Sequence, residues 1–433
     1  MARLTSPNVI VFFTDQQRWD CSGLHGNPLD LMPNFDRMAR AGTHVRHSIT
    51  CQPVCGPARA CLQTGKYATT TGCFHNGIPL PTKERTLGHY FRKAGYHTGY
   101  IGKWHLADDS VWGPVRVSQR GGYEEWLASN VLEFTSDAYD MVVYDGKGKR
   151  LKLPGYRVDA QTDAAIRFID RNQKRPFFLF NSYIEPHQQN ARACFPAPDS
   201  YAERYRGRWM PPDLAALGGD AHQHIAGYYG MVKRLDEALG RMLEALKSLD
   251  MLENTIVLFT SDHACHFKTR NDEYKRSCHD GATRVPTAIA GPGFKGRGCV
   301  EQMVSLIDLP PTLLDAAGIP VPAAMQGRSI LPLVNGRTKS WPEEAYIQIS
   351  ETEVGRAIRT KKWKYGVVAP DKRPWKDATS DRYVETYLYD LESDPYELNN
   401  LAGQKTHREV ANRLKRQLLR RMKEAGEPAA VIS

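Results

Sequence analysis

The stretch "NVIVFFTDQQ", residues 8–17, decides the fold of this chain. Its apolar run has the length of a strand, and Asp15 and Gln16 follow immediately. Two other stretches have the same form, "RPFFLFNSYIEPH" at residues 175–187 and "NTIVLFTSDH" at residues 254–263. Short, continuous apolar runs are typical of strands buried on both faces of a parallel sheet. In each stretch polar residues follow the apolar run. They would lie at the carboxyl end of the strand, where such sheets bind ligands.

Helical patterns lie between these strands. Before the third strand, apolar residues recur in steps of three and four, which predicts a long helix with one buried face: Ile225, Tyr228, Val232, Leu235, Leu239, Met242, Leu246 and Leu249. Further helices are predicted around "LGHYFRKAGYH" and "DAAIRFIDRN". Helices between hydrophobic strands indicate an α/β fold, with a large, mostly parallel sheet covered by helices on both faces.

The pattern changes after "GRSILPLVNGR". Alternating pieces rich in Trp and Tyr, "AYIQIS", "KWKYGVV" and "YLYDL", predict a small antiparallel sheet. The basic run "REVANRLKRQLLRRMKEAG" has its apolar residues at helical spacing, which favours a helix docked on that sheet with a solvated basic face. We therefore predict a catalytic α/β domain at residues 1–336 and a small C-terminal α+β subdomain at residues 337–433.

Composition narrows the class of protein. The chain has 433 residues, 41% of them hydrophobic, and a formal net charge of +10. No apolar run approaches the ~20 residues of a membrane span, and the first strand lacks the features of a signal peptide. We expect a cytoplasmic protein, or a periplasmic one if an export signal has been removed. The charge suggests anionic partners, although solvated surface lysines explain it equally well, and no recognisable nucleic-acid module is present.

Nine cysteines, an odd number in a large chain, do not indicate a disulfide framework. Three of them lie close together in "TCQPVCGPARACLQTGKY", residues 50–67. The usual role of such a thiol is that of a small, inert core residue, and we expect it for Cys51 and Cys61. A zinc knuckle formed by Cys51 and Cys55 lacks a second Cys/His pair at finger spacing.

Cys55 begins the pattern Cys-x-Pro-x-Arg, which ends at Arg59. With this motif and those that accompany it, the sequence resembles the type I sulfatases of the alkaline-phosphatase-like superfamily. The resemblance covers nearly the whole chain in the order of the family. The accompanying motifs are Asp15-Gln16, "GYIGKWHL" at residues 99–106, "EPH" ending at His187, "SDH" at residues 261–263, "ATRVP" ending at Pro286, and "LYDLESDPYELNNL" at residues 388–401.

The resemblance implies that a maturation enzyme oxidises Cys55 to formylglycine. The hydrated aldehyde acts as the nucleophile, and its second hydroxyl group allows sulfate to leave while the aldehyde re-forms. If the nucleophile were a thiol or a simple hydroxyl group, the sulfated enzyme would need a second attack at sulfur to release the sulfate.

The resemblance also implies one divalent metal site, for which we expect calcium, although another divalent ion would fit. The implied ligands are Asp15, Gln16, Asp262 and His263, with an oxygen of the modified Cys55. Carboxylate and amide oxygens suit such a hard cation. Gln16 replaces the second Asp that is commoner in the family, and His263 introduces a nitrogen ligand, so this site carries less negative charge.

Five further residues carry implied roles in catalysis. Arg59 holds the nucleophile and the metal-bound oxygen, while Lys103 and Lys275 neutralise the sulfate oxygens. His187 protonates the departing alcohol with help from Lys275, and His105 removes a proton when sulfate is eliminated.

The substrate is expected to be a small-molecule or oligosaccharide sulfate ester. We assign its binding to Lys103, His187, Arg270 and Lys275. The segment "CHFKTRNDEYKRSCHDGATRVP", residues 265–286, is rich in cations, which favours a carbohydrate with a carboxylate group, such as a sulfated uronic acid. Salt bridges to the acidic residues of the same segment explain those cations as well.

Three hypotheses remain open at this point. The first is a sulfatase that acts on sulfated carbohydrates. The second is a phosphonate or phosphate ester hydrolase of the same superfamily, because the geometry and charge required are similar. The third is a binding protein without catalysis, in which Cys55 is never modified.

Overall fold

A ten-stranded sheet forms the centre of the molecule. The computed structural model describes residues 6–108, 110–337 and 340–433. In chain order the strands of this sheet are β1 Asn8–Thr14, β2 Thr43–Ile49, β3 His97–Lys103, β4 Glu125–Ser129, β5 Met141–Asp145, β6 Arg150–Leu153, β7 Phe177–Ser182, β8 Thr255–Ser261, β9 Ala288–Ala290 and β10 Gly298–Ser305. Their spatial order is β10-β2-β9-β8-β1-β7-β3-β4-β5-β6.

Strand β1 lies near the middle of the sheet and is buried along its whole length. It pairs in parallel with β7 on one side and with β8 on the other. Because successive side chains of a strand point to opposite faces, Val9, Val11 and Phe13 enter one hydrophobic core, and Ile10 and Phe12 enter a second one. The apolar run at the start of the chain thus contributes to the hydrophobic cores on both faces of the sheet.

The strand directions confirm the predicted fold class. Strands β8, β1, β7, β3 and β4 are parallel neighbours, and β10 is parallel to β2. Strand β9 is antiparallel to both β2 and β8, and β5 is antiparallel to both β4 and β6. Eight of the ten strands therefore run in one direction, and only β9 and β5 run against it.

Helices cover both faces of the large sheet. In chain order the helices are α1 Pro33–Ala41, α2 Cys55–Thr64, α3 Ala68–Thr71, α4 Leu87–Lys93, α5 Leu132–Thr135, α6 Arg157–Arg171, α7 Tyr201–Tyr205, α8 Pro212–Ala216, α9 Ala221–Ser248, α10 Asp280–Thr283, α11 Leu309–Ala316, α12 Leu331–Val334 and α13 Arg408–Glu424. Residues of α1, α6 and α9 pack in the core of Ile10 and Phe12, and residues of α2, α4 and α11 pack in the core of Val9 and Val11.

The predicted helices are present. Helix α9 buries seven of its eight predicted stripe residues, and the eighth, Leu249, is its half-buried C-cap. The stretch "LGHYFRKAGYH" forms α4, and "DAAIRFIDRN" forms the second half of α6.

A second, smaller sheet follows in the chain. Its strands are β11 Glu344–Ile349, β12 Gly355–Thr360, β13 Trp363–Val368, β14 Arg382–Asp390 and β15 Val431–Ile432. The first four are antiparallel, as predicted, and β15 adds a parallel edge. The predicted docked helix is α13, which buries Leu414, Leu418 and Met422. Sequence patterns missed β12 and β15.

The boundary at residues 336/337 stays a prediction. The small sheet starts at Glu344, eight residues after Gly336. Residues 1–5 and 338–339, which belong to the two predicted domains, lie outside the described residues. In the part of the chain that the structure describes, no helix is both long enough and apolar enough to cross a membrane. All nine cysteines are free thiols.

Buried charges join the two sheets. Lys364 of β13 lies 2.6 Å from Asp280 Oδ1 and 2.7 Å from Glu397 Oε1, and Arg359 of β12 lies 3.0 Å from Asp280 Oδ2. Burial would raise the pKa of Asp280, but Arg359, Lys364 and Arg284 lower it well below its usual range. The small sheet is therefore held to α10 by buried charges.

We expect Lys364→Met to destabilise the protein by about 3–5 kcal/mol, because it leaves the carboxylates of Asp280 and Glu397 buried with less charge to balance them. Urea unfolding followed by circular dichroism measures the change. Lys362→Met is the matched control, since Lys362 pairs with Glu392 in solvent and its loss should leave the unfolding midpoint unchanged. Equal midpoints for the two variants would contradict this account of the interface.

Candidate active site

Four neighbouring parallel strands, β8, β1, β7 and β3, end at one edge of the large sheet. Because the carboxyl ends of parallel strands meet there, the polar residues that follow them come together. These residues are Asp262 and His263 after β8, Asp15 and Gln16 after β1, His187 after β7, and Lys103 and His105 at the end of β3. All of them are buried.

Helix α2 brings the predicted nucleophile to this edge. Cys55 is the first residue of the helix, and Arg59 lies one turn later on the same face. Every residue of α2 is buried, so the helix has little freedom to shift. The backbone N–H of Gly56, which the first turn of a helix leaves without a helical partner, donates to Asn76 Oδ1 at 2.9 Å.

The Cys55 sulfur is surrounded by groups that favour negative charge. It lies 2.8 Å from Lys275 Nζ and 3.2 Å from His263 Nε2. Burial alone would raise its pKa, but Lys103, Lys275, His263 and a hydrogen bond from His105 lower that pKa well below its ordinary value. The thiol therefore sits in a pocket built for an anion or an electron-rich oxygen.

Cys61, on the same helix, contrasts with Cys55. Burial and the neighbouring Cys51 raise the pKa of Cys61 well above its ordinary value. Cys61 is thus held as a neutral thiol in the core, as expected from the sequence, and the environment distinguishes it from Cys55.

Two carboxylates face each other at the centre of the site. Burial and the Cys55 sulfur would raise the pKa of Asp15, but Lys103, His187 and Arg59 lower it well below its usual range. Burial and the neighbouring Asp15 raise the pKa of Asp262. A divalent cation would relieve this repulsion and let both carboxylates ionise.

The donor atoms at this point fit such a cation. One ligand atom each from Asp15, Cys55, Asp262 and His263 lies within 4.8 Å of all the others. The Nδ1 of His263 is 2.9 Å from the carbonyl oxygen of Ala264, which can only accept, so Nε2 presents a lone pair to the cluster.

Gln16 adds a fifth potential ligand. Its side-chain Nε2 donates to Gln188 Oε1 at 2.7 Å, and its backbone N–H donates to Asp262 Oδ1 at 3.0 Å. Its Oε1 is buried and accepts no hydrogen bond from the residues that the structure describes. A buried amide oxygen without a partner is costly, and a cation would satisfy it.

Two cations hold Asp15 in place. Arg59 donates to Asp15 Oδ2 at 2.8 Å and lies 3.2 Å from Asp262 Oδ2, so it bridges the two carboxylates. Lys103 donates to the same Asp15 oxygen at 2.8 Å. A further Arg59 nitrogen donates to Ser182 at the end of β7, which fixes the guanidinium against the sheet.

The sequence analysis missed Glu133. Its Oε1 accepts a hydrogen bond from Lys103 Nζ at 2.7 Å, and its Oε2 is buried without a hydrogen-bond partner among the described residues. Burial would raise the pKa of Glu133, but Lys103 lowers it. The residue lies in "NVLEFT", a stretch with no recognised motif, and only the packing of α5 against β4 and β5 brings it to the site.

His187 and Lys275 form a pair over the sulfur. Lys275 Nζ lies 3.1 Å from His187 Nε2 and also contacts Cys55. The Nδ1 of His187 donates to the Gln188 carbonyl oxygen at 2.7 Å, so Nε2 is free to exchange a proton with Lys275 or with a bound molecule. Arg157 of α6 holds the loop that carries His187 through Glu185 at 2.7 Å.

Several turns of the site adopt unusual backbone conformations. Gln16, His105, Arg276 and Glu351 are non-glycine residues with a positive φ, from +55° to +69°. The left-handed region is unfavourable for such residues and persists where surrounding contacts determine it, as it often does at functional sites.

The structure brings together nearly all the residues that the sequence singled out. Those that meet at the strand ends are Asp15, Gln16, Cys55, Arg59, Lys103, His105, His187, Asp262, His263 and Lys275. Arg270 differs, because it donates to the backbone oxygen of Tyr396 at 2.9 Å and makes no hydrogen bond to this cluster within the described ranges. Its role in substrate binding stays a prediction.

Known proteins share this architecture. A sulfatase family model matches residues 7–319, and a model described as the C-terminal part of N-sulphoglucosamine sulphohydrolase matches residues 272–424. The ulvan-active sulfatase of Formosa agariphila is 30% identical over 441 residues, covering 98% of this chain and 82% of that protein. The N-acetylglucosamine-6-O-sulfatase of Bacteroides thetaiotaomicron is 26% identical, covering 92% of this chain and 83% of its own.

Solved structures agree with the sequence relatives. The yidJ protein of Bacteroides fragilis, described as a sulfatase, superposes with a TM-score of 0.84 at 26% identity, covering 99% of this chain and 98% of that chain. A phosphonate monoester hydrolase from Silicibacter pomeroyi superposes with a TM-score of 0.72 at 22% identity, covering 97% and 96%. At that identity the second likeness shows the fold alone, and it does not extend to the phosphonate hydrolase activity.

Calcium should stabilise the folded protein, because it would bind the cluster of Asp15 and Asp262 only in the native state. At a free concentration a hundred times its Kd, we expect about 2.7 kcal/mol of stabilisation, seen as a rise in Tm by calorimetry and reversed by chelation. Asp262→Asn should abolish this rise while keeping a Tm without metal close to that of the original protein, since it also removes the repulsion with Asp15.

The matched control for this measurement is Asp163→Asn, whose carboxylate pairs with Arg241 at the surface, away from the cluster. It should keep the full response to calcium. A calcium response that persists in Asp262→Asn would place the ion elsewhere.

Proposed function

The chain belongs to the sulfatase family and is a sulfuric ester hydrolase, and we propose that it cleaves sulfated carbohydrates through a formylglycine made from Cys55. The observation that carries the proposal is the position of Cys55. It lies at the first turn of a buried helix, between Lys275 and the candidate ligand His263, while the neighbouring thiol of Cys61 is buried in the core. A maturation enzyme is implied as a partner, because the oxidation of a thiol to an aldehyde needs an external oxidant.

Formylglycine would supply one hydroxyl group of its hydrate for attack at sulfur and a second one to expel sulfate. The surrounding residues serve an anionic substrate. Lys103 and Lys275 offer ammonium groups to sulfate oxygens, and Arg59 fixes the carboxylates that face the reacting group.

The two histidines divide the proton transfers in this proposal. His187 Nε2 faces Lys275, which contacts the group at position 55, and in this proposal it donates a proton to the departing alcohol. His105 hydrogen-bonds the group at position 55 and accepts a proton from it.

The metal site of the proposal consists of Asp15, Gln16, Asp262, His263 and the modified Cys55. Calcium is the ion we propose, because most of these donors are oxygens. A cation bound there would polarise a sulfate oxygen and favour the ionised form of the nucleophile. The ligand side chains themselves are already oriented by Arg59, Lys103 and the Ala264 carbonyl oxygen.

The carbohydrate substrate is supported by the relatives. One of them is an ulvan-active sulfatase and another is an N-acetylglucosamine-6-O-sulfatase, and this chain spans most of the length of both proteins. A preference for a sulfated uronic acid rests on the cations of residues 265–286, and of these the structure turns Arg270 towards Tyr396.

Cys55→Ala should abolish sulfate ester hydrolysis without unfolding the protein, because it removes the nucleophile and only one small side-chain atom. Mass analysis of the Cys55 peptide should show formylglycine in active preparations and cysteine in inactive ones. Cys299→Ala, at an exposed thiol, is the control that should keep full activity. Full activity in a preparation with unmodified Cys55 would refute the proposed nucleophile.

The same preparation can be used to test the alternative function, a phosphonate or phosphate ester hydrolase. Sulfate and phosphate monoesters of 4-nitrophenol are compared at equal concentrations, and we expect the sulfate to be turned over faster. A higher kcat/KM for the phosphate or for a phosphonate would make this chain an ester hydrolase of the second kind.

His187→Ala should reduce the hydrolysis of sugar sulfates far more than that of 4-nitrophenyl sulfate. A sugar alkoxide is a poor leaving group and needs the proton, whereas 4-nitrophenolate departs without one. General acid catalysis contributes about 10²–10⁴-fold, so we expect a loss of that order in kcat for the sugar ester. Equal losses on the two substrates would mean that His187 only binds sulfate.

A further inference from the structure

The loop between β13 and β14 carries an exposed aromatic side chain. Trp375 is 48% exposed, although most large aromatic residues of this protein are buried. Its ring lies 5.4 Å from the guanidinium of Arg276 and 5.5 Å from the ring of His75. The indole is therefore oriented by polar side chains and still presents apolar surface to solvent.

Both neighbours belong to segments that touch the nucleophile turn. Arg276 follows Lys275, whose Nζ is 2.8 Å from the Cys55 sulfur, and its backbone N–H donates to Pro53 at 3.2 Å. His75 precedes Asn76, which accepts a hydrogen bond from the first turn of α2. Two separate routes through the structure thus place Trp375 at the rim of the site.

Glu351 fixes the rim. Its Oε1 accepts from the backbone N–H of Asn76 at 2.6 Å, and its Oε2 lies 2.6 Å from Arg276 Nε. Its own backbone N–H donates to the carbonyl oxygen of Pro374, the residue before Trp375, at 3.2 Å. Glu351 therefore ties the Trp375 loop, through its backbone N–H, to both segments that flank Cys55, through its buried carboxylate.

A leaving group must extend from the buried cluster towards solvent, because the nucleophile and all its contacts lie inside the protein. A sugar ring has one face rich in C–H groups, which packs on a flat aromatic surface, and an edge of hydroxyl groups that needs polar partners. A half-exposed indole beside Arg276 and His75, with Glu351 holding Arg276, offers both kinds of surface.

We infer that Trp375 is the stacking platform for the sugar ring of the substrate, oriented by Arg276 and His75. The inference rests on the proposed carbohydrate function and adds to it a residue of the small sheet that determines specificity. Trp375 touches the sugar and not the sulfate group, so it contributes to the recognition of the carbohydrate and leaves the sulfate pocket unchanged.

The test compares Trp375→Ala and Trp375→Phe with the original protein. The probes are ulvan oligosaccharides, N-acetylglucosamine 6-sulfate and 4-nitrophenyl sulfate, of which the last is a sulfate ester without a sugar ring. For a carbohydrate that the original protein hydrolyses, we expect Trp375→Ala to lose about five- to tenfold in kcat/KM, chiefly through KM. Trp375→Phe should retain most of the activity, and inhibition by inorganic sulfate should be unchanged.

Trp209→Ala is the matched control, because Trp209 is also partly exposed and lies between α7 and α8. It should leave the kinetics on all probes unchanged. Equal losses of Trp375→Ala on carbohydrate and aryl sulfates, or no loss on any carbohydrate, would overturn the platform while the carbohydrate function stands. Hydrolysis of 4-nitrophenyl sulfate with no carbohydrate turned over by the original protein would overturn the carbohydrate function and the platform together.

Discussion

The buried carboxylate of Asp15 is the contact on which the rest of the site depends. One of its oxygens accepts from both Arg59 and Lys103 at 2.8 Å, and the other lies 3.6 Å from the Cys55 sulfur and from His263 Nε2. A buried carboxylate is costly unless it is paired, so the ends of β1, β3 and β8 and the start of α2 can meet only with these partners in place. The contacts that hold Asp15 therefore both align the strand ends and position the reactive groups of the site.

The charges around Asp15 suit an anionic ester and a divalent cation together. Arg59, Lys103 and Lys275 are buried cations beside the carboxylates of Asp15 and Asp262. Without a cation, Asp262 is left with a raised pKa next to Asp15, and the Gln16 amide oxygen lacks a partner among the described residues. Such groups are costly to bury without a partner. A bound cation and an anionic ester would each interact favourably with the groups of opposite charge that the folded protein already holds in place.

The small sheet does more than cover the end of the large one. Lys364 and Arg359 hold it to Asp280 through buried ion pairs, and Glu351 ties its loops to the segments on either side of Cys55. The large sheet supplies the reacting groups, and the small sheet supplies the rim through which a leaving group must pass. Variation in the loops of the small sheet could thus change the accepted alcohol without disturbing the sulfate pocket.

The sequence by itself determined the class of fold and most of the site. Local patterns of residues can be recognised from the sequence alone. Such patterns are the apolar run of β1, the helical stripe of α9 and the motif from Cys55 to Arg59. Glu133, Arg270 and Glu351 depended on the tertiary structure. Glu133 reaches Lys103 because α5 packs against β4 and β5, next to β3. Arg270 turns to Tyr396, and Glu351 joins segments 275 residues apart in the chain. The physical reason is that ion pairs and hydrogen bonds between distant segments depend on how the layers pack, which no spacing of residues along the chain specifies.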